Sequence, residues 1–318
     1  MSDSAAAAPL STMHTRGWVP RLSAGWVGGV LLALIAVPCF LTLPWALDAY
    51  NQHRIAEGLA LQGPSLAEPL GTDLFGRSLM WRCLLGGAIS LGIGGCAALI
   101  AVGIGVTWGA TAGYIGGRVD SFMMRVVDVL YGLPYILLVV LMDLALEPFV
   151  NRGLVGLGFN DSAASGLAGI VTLLVAIGGV SWLTMARVIR GQVLSLRSQP
   201  FMEAARATGT GHMRTLLVHL LPNLIGPIVV YATLTVPQAI LQESFLSFLG
   251  IGVQAPIPSW GNLASDGLPQ LHRLGMNAGA VEWWLLLFPC LLLGLTLMAL
   301  NFLGDALRNR LDPKRAKT

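Results

Sequence analysis

Apolar stretches of about twenty residues or more recur along the chain, and each is long enough to cross the ~30 Å hydrocarbon core of a bilayer as an α-helix. In lipid a spanning backbone must satisfy its own N–H and C=O groups, so these runs point to an all-α membrane protein. Composition agrees. The chain has 318 residues, 55% hydrophobic and 11% charged, where soluble domains carry about 25% charged residues. A net charge of +3, dispersed and without a basic-aromatic stripe, argues against a nucleic-acid partner.

Two residue types exclude further chemistries. Cys39, Cys83, Cys96 and Cys290 sit singly in apolar surroundings with no C-x-x-C pair, which suits packing rather than a disulfide or metal. Lys314 and Lys317 are the only lysines. A phosphate-cradling G-x-x-x-x-G-K-[ST] loop therefore cannot form, and no cofactor is expected on this chain.

Taken in order, residues 1–22 read as a disordered basic tail, and residues 24–46 as a retained first span with Trp26 and Trp45 near its interfaces. The span and a following loop make up 23–82. That loop ends in EPLGTDLFGRSLMWR, where Thr72 and Asp73 suit capping and Asp73 with Arg77 suits a salt bridge better than a catalytic pair. A five-helix core over 83–304 follows. Its first span covers 83–111, and Ala97, Ala101, Gly105, Gly109 and, just beyond it, Gly113 recur at every fourth position, a spacing that lets helix backbones approach closely in lipid. GYIGGRVDSFMMRVVDVLYGLP then sets Arg118, Asp120, Arg125 and Asp128 at one interface, Asp128 within reach of Arg125. Further spans are expected over 126–146 and 166–186, joined by a Gly/Asn loop with Arg152 and Asp161. The fifth starts near 224 and breaks at Pro237, beyond which Gln238, Gln242 and Glu243 are candidates to line a path, Glu243 being alternatively a structural acceptor near the outer mouth. The sixth covers 281–303, and 305–318 forms a polar tail.

Between the fourth and fifth spans lies a polar island, 199–223, QPFMEAARATGTGHMRTLLVHLLPN. Pro200 suits a first helical position, and Glu203 lies near the positive end of that helix. Gly209 and Gly211 stop it, because glycine reaches positive φ without a Cβ penalty. A second short helix follows from about His212, and Pro222 marks its end or the entry to the next span.

Glu203-Ala204-Ala205, Gly209 four residues later, and then Leu221-Pro222 resemble the "EAA" cytoplasmic loop of ABC importer permeases. HLLPN, the G-T-D-x-x-G-R string at 71–77, ESFLSFLGIGVQAPIPSWGNL and NFLGDALRNRLDPK are similar to the C-type subunits of the dipeptide/oligopeptide/nickel branch. His219 stands where Ile is common in the broader family, and Gly211 where a capping Ser would be comfortable. The resemblance implies the type I permease fold, with six spans and both termini cytoplasmic, in the bacterial inner membrane. It implies that Glu203, Ala204, Ala205, Gly209, His219, Leu221 and Pro222 meet an ATPase. It also implies a second, homologous permease, two ATPase subunits that hold ATP and Mg, and an extracytoplasmic substrate-binding protein. The cargo it implies is a di- or oligopeptide, with nickel or another small solute as the alternative.

Charge gives the orientation independently. Of the 19 Lys and Arg residues, fourteen fall on the side of the termini and the 199–223 loop and five on the other, so the first side is cytoplasmic. The rival from another class is a proton-coupled secondary transporter, whose candidate acids are Asp128, Asp143 and Glu243. The last two are expected toward span ends, where carboxylates reach water.

Overall fold

The computed structural model describes residues 24–272 and 282–311, with the backbone alone at 206 and 270–272. The tail expected over 1–22, and residues 312–318 of the tail expected at the other end, lie outside the described residues. All named elements are helical, and a single isolated bridge joins Thr72 to Ser78.

The core is a pair of long helices, α3 (Leu79–Ile115) and α6 (Asp161–Arg197), in the most extensive helix contact of the chain. The small residues at every fourth position of α3 are the reason. A Cβ on Gly105 would fall 2.5 Å from Met185 Cβ, one on Gly109 2.4 Å from the Ala186 carbonyl, and one on Gly113 2.9 Å from Val193 Cβ. Ala97 and Ala101 are fully buried in the same seam. Residue numbers rise together along both helices, so α3 and α6 run parallel.

Parallel neighbours need a return crossing between them. It is made by α4 (Gly117–Tyr131) and α5 (Tyr135–Gly156), which meet at a bend of 94° and together pass as one broken span. Among the described residues, five other helices are long and apolar enough to cross. The parallel pair fixes the count at six. Pro134 explains the bend: it lacks an N–H and disfavours helical geometry at Leu133. The third span expected over 126–146 is corrected accordingly: it straddles the bend, with 126–131 ending the amphipathic α4 and α5 beginning at Tyr135.

The remaining helices flank this pair. α1 (Ala24–Leu41) continues after one turn residue into α2 (Leu43–Ala49), with Pro44 in its first turn. α1 packs antiparallel on α11 (Trp284–Leu311), and a Cβ on Gly28 would meet the Ala299 carbonyl at 2.7 Å. After α6 come α7 (Pro200–Ala207), the short α8 (His212–Arg214), a π-helical turn Thr215–Leu220, and α9 (Leu221–Phe248). α10 (Trp260–His272), which the hydropathy pattern does not announce, packs on α9 and α11.

Other expectations are corrected. The second helix of the polar island is not a separate element, because His212–Phe248 is one continuous run of 37 residues. In the π-helical turn the Leu221 N–H reaches back to Leu216, and this wider turn accommodates Pro222 without ending the helix. Nor does α9 break at Pro237, which is buried inside it. In lipid, neighbouring helices and hydroxyl side chains compensate the freed carbonyl. Arg152 lies in the last turns of α5 and Asp161 opens α6, so the Gly/Asn loop shrinks to 157–160. Ser78, rather than Thr72 or Asp73, precedes α3 as its N-cap.

Candidate functional site

The polar island folds back onto the bundle as a docked knob. α7 starts at Pro200, and the Met202 N–H donates to the Gln199 carbonyl at 3.0 Å. It stops at Gly209, whose φ is +69°. The Thr210 N–H reaches back to the Ala205 carbonyl at 3.2 Å, the long closure of a Schellman end that glycine permits. Met202 is fully buried in a cluster with Ile189, Val193, Leu220 and Leu224. Ala205, also buried, faces the same way.

The seven residues of the family motif therefore divide. Glu203, Ala204, Gly209 and Pro222 are exposed, His219 and Leu221 are half-buried, and Ala205 faces the bundle. His219 shares the π-helical turn, and its carbonyl accepts from Asn223 Nδ2 at 2.7 Å. Gly211 leaves α8 without a side-chain cap. Tyr114 at the end of α3 contacts His212 Nδ1 at 3.0 Å, a tie between the knob and the bundle that sequence reasoning missed.

Deeper in the bundle a cavity of about 440 Å³ opens where the α4–α5 bend meets α6 and α9. Gln238 and Gln242 line it, and Glu243 does not. Tyr231, Thr235, Gln238 and Gln242 form a polar stripe along α9 with steps of four, three and four. Ser181 and Thr184 on α6 and Tyr135 at the start of α5 complete it, and the Tyr135 hydroxyl donates to Gln242 Oε1. These additional residues carried a signal, namely hydroxyls at helical spacing inside apolar spans. No charged side chain lines the cavity; its amide and hydroxyl groups are interspersed with Leu130, Leu133, Val180, Leu183 and Leu234.

Glu243 has another role. It is fully buried, contrary to the expectation that it reaches water. The Ser247 hydroxyl donates to Oε1 at 2.8 Å and the Ser244 hydroxyl to Oε2 at 3.2 Å. The Ser90 hydroxyl of α3 and the Ser259 hydroxyl before α10 lie beside the same carboxyl. Four hydroxyls from three parts of the chain converge on one carboxyl, which makes it a structural knot. Asp128 pairs with Arg187 of α6 at 2.8 Å rather than with Arg125, because α4 turns that face toward α6. Asp143 is buried within α5, with Oδ1 lacking a hydrogen-bond partner, so it too fails to reach water at a span end. None of these three acids lines the cavity.

At the opposite end of the bundle Asp73 organises the loop before α3. Its Oδ1 accepts the N–H groups of Phe75 and Arg77, both at 2.9 Å, while Oδ2 takes Arg77 Nε at 2.7 Å and Arg82 Nη1 at 2.8 Å. Arg82 Nη2 then reaches Asp266 of α10 at 3.4 Å. The group is a buried clamp between loop, α3 and α10, far along the chain from the polar cavity.

A six-span bundle with a docked polar knob and a cavity free of charged side chains fits a membrane transport component. Residues 105–317 match the family described as "Binding-protein-dependent transport system inner membrane component". The chain belongs to this family, and it is a multi-pass permease of the bacterial inner membrane rather than a catalytic subunit. It is 45% identical to the dipeptide transport system permease protein DppC of Bacillus subtilis over 79% of this chain and 70% of that protein. It is 41% identical to the oligopeptide transport system permease protein OppC of Escherichia coli K12 over 95% of this chain and 88% of that protein. Among solved structures, an inward-facing conformation of the MetNI methionine ABC transporter aligns with a TM-score of 0.52 at 21% identity, over 74% of this chain and 98% of that one. That likeness supports the type I permease fold alone.

Proposed function

We propose that this permease forms half of the transmembrane path of an ATP-driven importer for di- or oligopeptides, paired with a second, homologous permease. One of two ATPase subunits docks on the exposed face of α7 and the other on the second permease; both hold ATP and Mg, while this chain binds no cofactor. An extracytoplasmic binding protein delivers the solute. The observation that carries the reading is the stripe Tyr231, Thr235, Gln238 and Gln242 facing the 440 Å³ cavity, whose uncharged amide and hydroxyl groups match peptide bonds. The names of the dipeptide and oligopeptide relatives support the same cargo. Nucleotide-driven closure of the ATPases pulls on α7 and shifts the bundle between its two facing states.

The test is uptake of radiolabelled trialanine into proteoliposomes holding the complete complex, with ATP supplied to the ATPases and the binding protein on the opposite face. Uptake that needs ATP and the binding protein, and survives an uncoupler, is expected. Uptake of nickel with no competition by trialanine would favour the other cargo of the branch. Transport by this chain alone, collapsed by an uncoupler, would overturn the reading in favour of proton coupling.

A further inference from the structure

The α4–α5 bend sits in the wall of the polar cavity, which takes Tyr131, Leu133 and Tyr135 from it. It is fastened on two sides. On one, the Arg187 guanidinium lies 4.0 Å from the centroid of the Tyr131 ring and 2.8 Å from Asp128 Oδ1. Asp128 and Tyr131 are one turn apart, so a single arginine of α6 grips the last turn of α4. On the other side the Tyr135 hydroxyl holds Gln242 of α9.

Just beyond Arg187 the lining changes character. A second cavity of about 630 Å³ is bordered by Arg125, Asp128, Arg187 and Arg190. The polar cavity is bordered by Tyr131 and Thr184, one turn away along the same two helices. Arg187, Asp128 and Tyr131 thus stand between an uncharged compartment and a charged one. α6 itself leads through Ser198 and Gln199 into α7, so a pull on the knob reaches Arg187 along a continuous helix. Arg190, three residues on, makes two bonds to Asp120 and clamps the other end of α4.

We propose that the α4–α5 joint is the movable wall of the solute path, and that Arg187 and Tyr135 are positioning residues that fix it in each of its states. The proposal rests on the reading of the polar cavity as that path. Movement of α7 carries α6 and the Arg187 grip with it, while the Tyr135 bond keeps the opposite edge of the joint on α9. The 94° bend at residues 132–134 supplies the hinge.

The test uses the complete complex in proteoliposomes, with Thr184→Cys in a background lacking the four native cysteines. Labelling by an impermeant maleimide is followed without nucleotide and during ATP turnover. The expected result is a labelling rate that differs between the two conditions. Arg187→Gln and Tyr135→Phe should each reduce that contrast about tenfold, the order expected for losing a cation–π contact with an ion pair, or a half-buried hydrogen bond. Arg187→Lys, which keeps a charge for Asp128, should restore part of it. Full contrast in both Arg187→Gln and Tyr135→Phe complexes overturns the assignment and leaves the path standing. No contrast in the parent Thr184→Cys complex, despite ATP-driven uptake, overturns the path and the proposal with it. Should Arg187→Gln fail to assemble, Tyr135→Phe decides, because it removes a single oxygen.

Discussion

At the scale of single residues, the two sharpest demands fall on Glu243 and Gly209. A carboxyl enclosed by four hydroxyls is tied to its surroundings from three directions, and hydroxyls can rotate to suit an amide. Glu243→Gln should therefore lower stability by about 1 kcal/mol and leave the permease inserted, whereas Glu243→Leu strands several hydroxyls and should cost about 3 kcal/mol. Thermal unfolding of the detergent-solubilised complex, followed by size-exclusion chromatography, measures the difference. Equal losses in both variants would mean that the serines do not act as donors to this group. For Gly209, an added Cβ meets no heavy atom within 4 Å, yet φ is +69°, so a side chain there carries strain of about 1–2 kcal/mol without a clash. Gly209→Arg should insert normally and lose ATPase association and uptake, while Gly209→Asn, which tolerates this backbone, should keep most of both. Co-purification of the ATPase subunits reads the outcome, and retention with the arginine variant would remove this glycine from the docking face.

At the scale of elements, the α3–α6 seam offers an internal control. A Cβ on Gly109 would lie 2.4 Å from a backbone oxygen of α6, whereas one on Gly95 meets nothing within 4 Å. Gly109→Val should push two backbones apart and cost about 3 kcal/mol or more, and Gly95→Val should stay within about 0.5 kcal/mol. Complex yield and melting temperature distinguish the two. The α3 face of this seam was legible in the sequence, since small residues four apart let helix backbones approach in lipid, whereas its partner α6 and their parallel sense were not. Helix ends were less so. Hydropathy marks where lipid begins, yet α3 and α6 each run for 37 residues, about 55 Å at 1.5 Å per residue, well past the ~30 Å hydrocarbon core. Prolines misled in both directions: Pro134 makes a sharp bend, while Pro222 and Pro237 lie inside a continuous helix. The difference lies in what surrounds each proline, a π-helical turn before Pro222 and packed neighbours around Pro237, and neither is written in the local sequence.

At the scale of the whole molecule, the orientation rests on charge and is directly testable. A cysteine at Gly63 should label with impermeant maleimide from outside intact cells, and cysteines at Ser4 and Thr318 only after permeabilisation. Labelling of Thr318→Cys from outside would sink the six-span arrangement. The shape of the knob could be read from its sequence, because glycine and proline at fixed spacing specify a local backbone. The cavity could be read only in part. Gln238 and Gln242 stood out as amides in an apolar run, but Tyr135, Ser181 and Thr184 join them only through packing, and Glu243 looked alike while belonging to a different structure.

The parallel seam also sets a clock on synthesis. Gly105 meets Met185 and Gly113 meets Val193, so each contact joins residues whose numbers differ by 80 (185 − 105 and 193 − 113). At roughly 5–20 residues per second, α3 emerges from the ribosome about 4–16 s before the helix it is shaped to receive. During that interval its glycine-lined face lies against lipid or against the insertion machinery. A helix can wait in that way, because its backbone hydrogen bonds are already closed within itself.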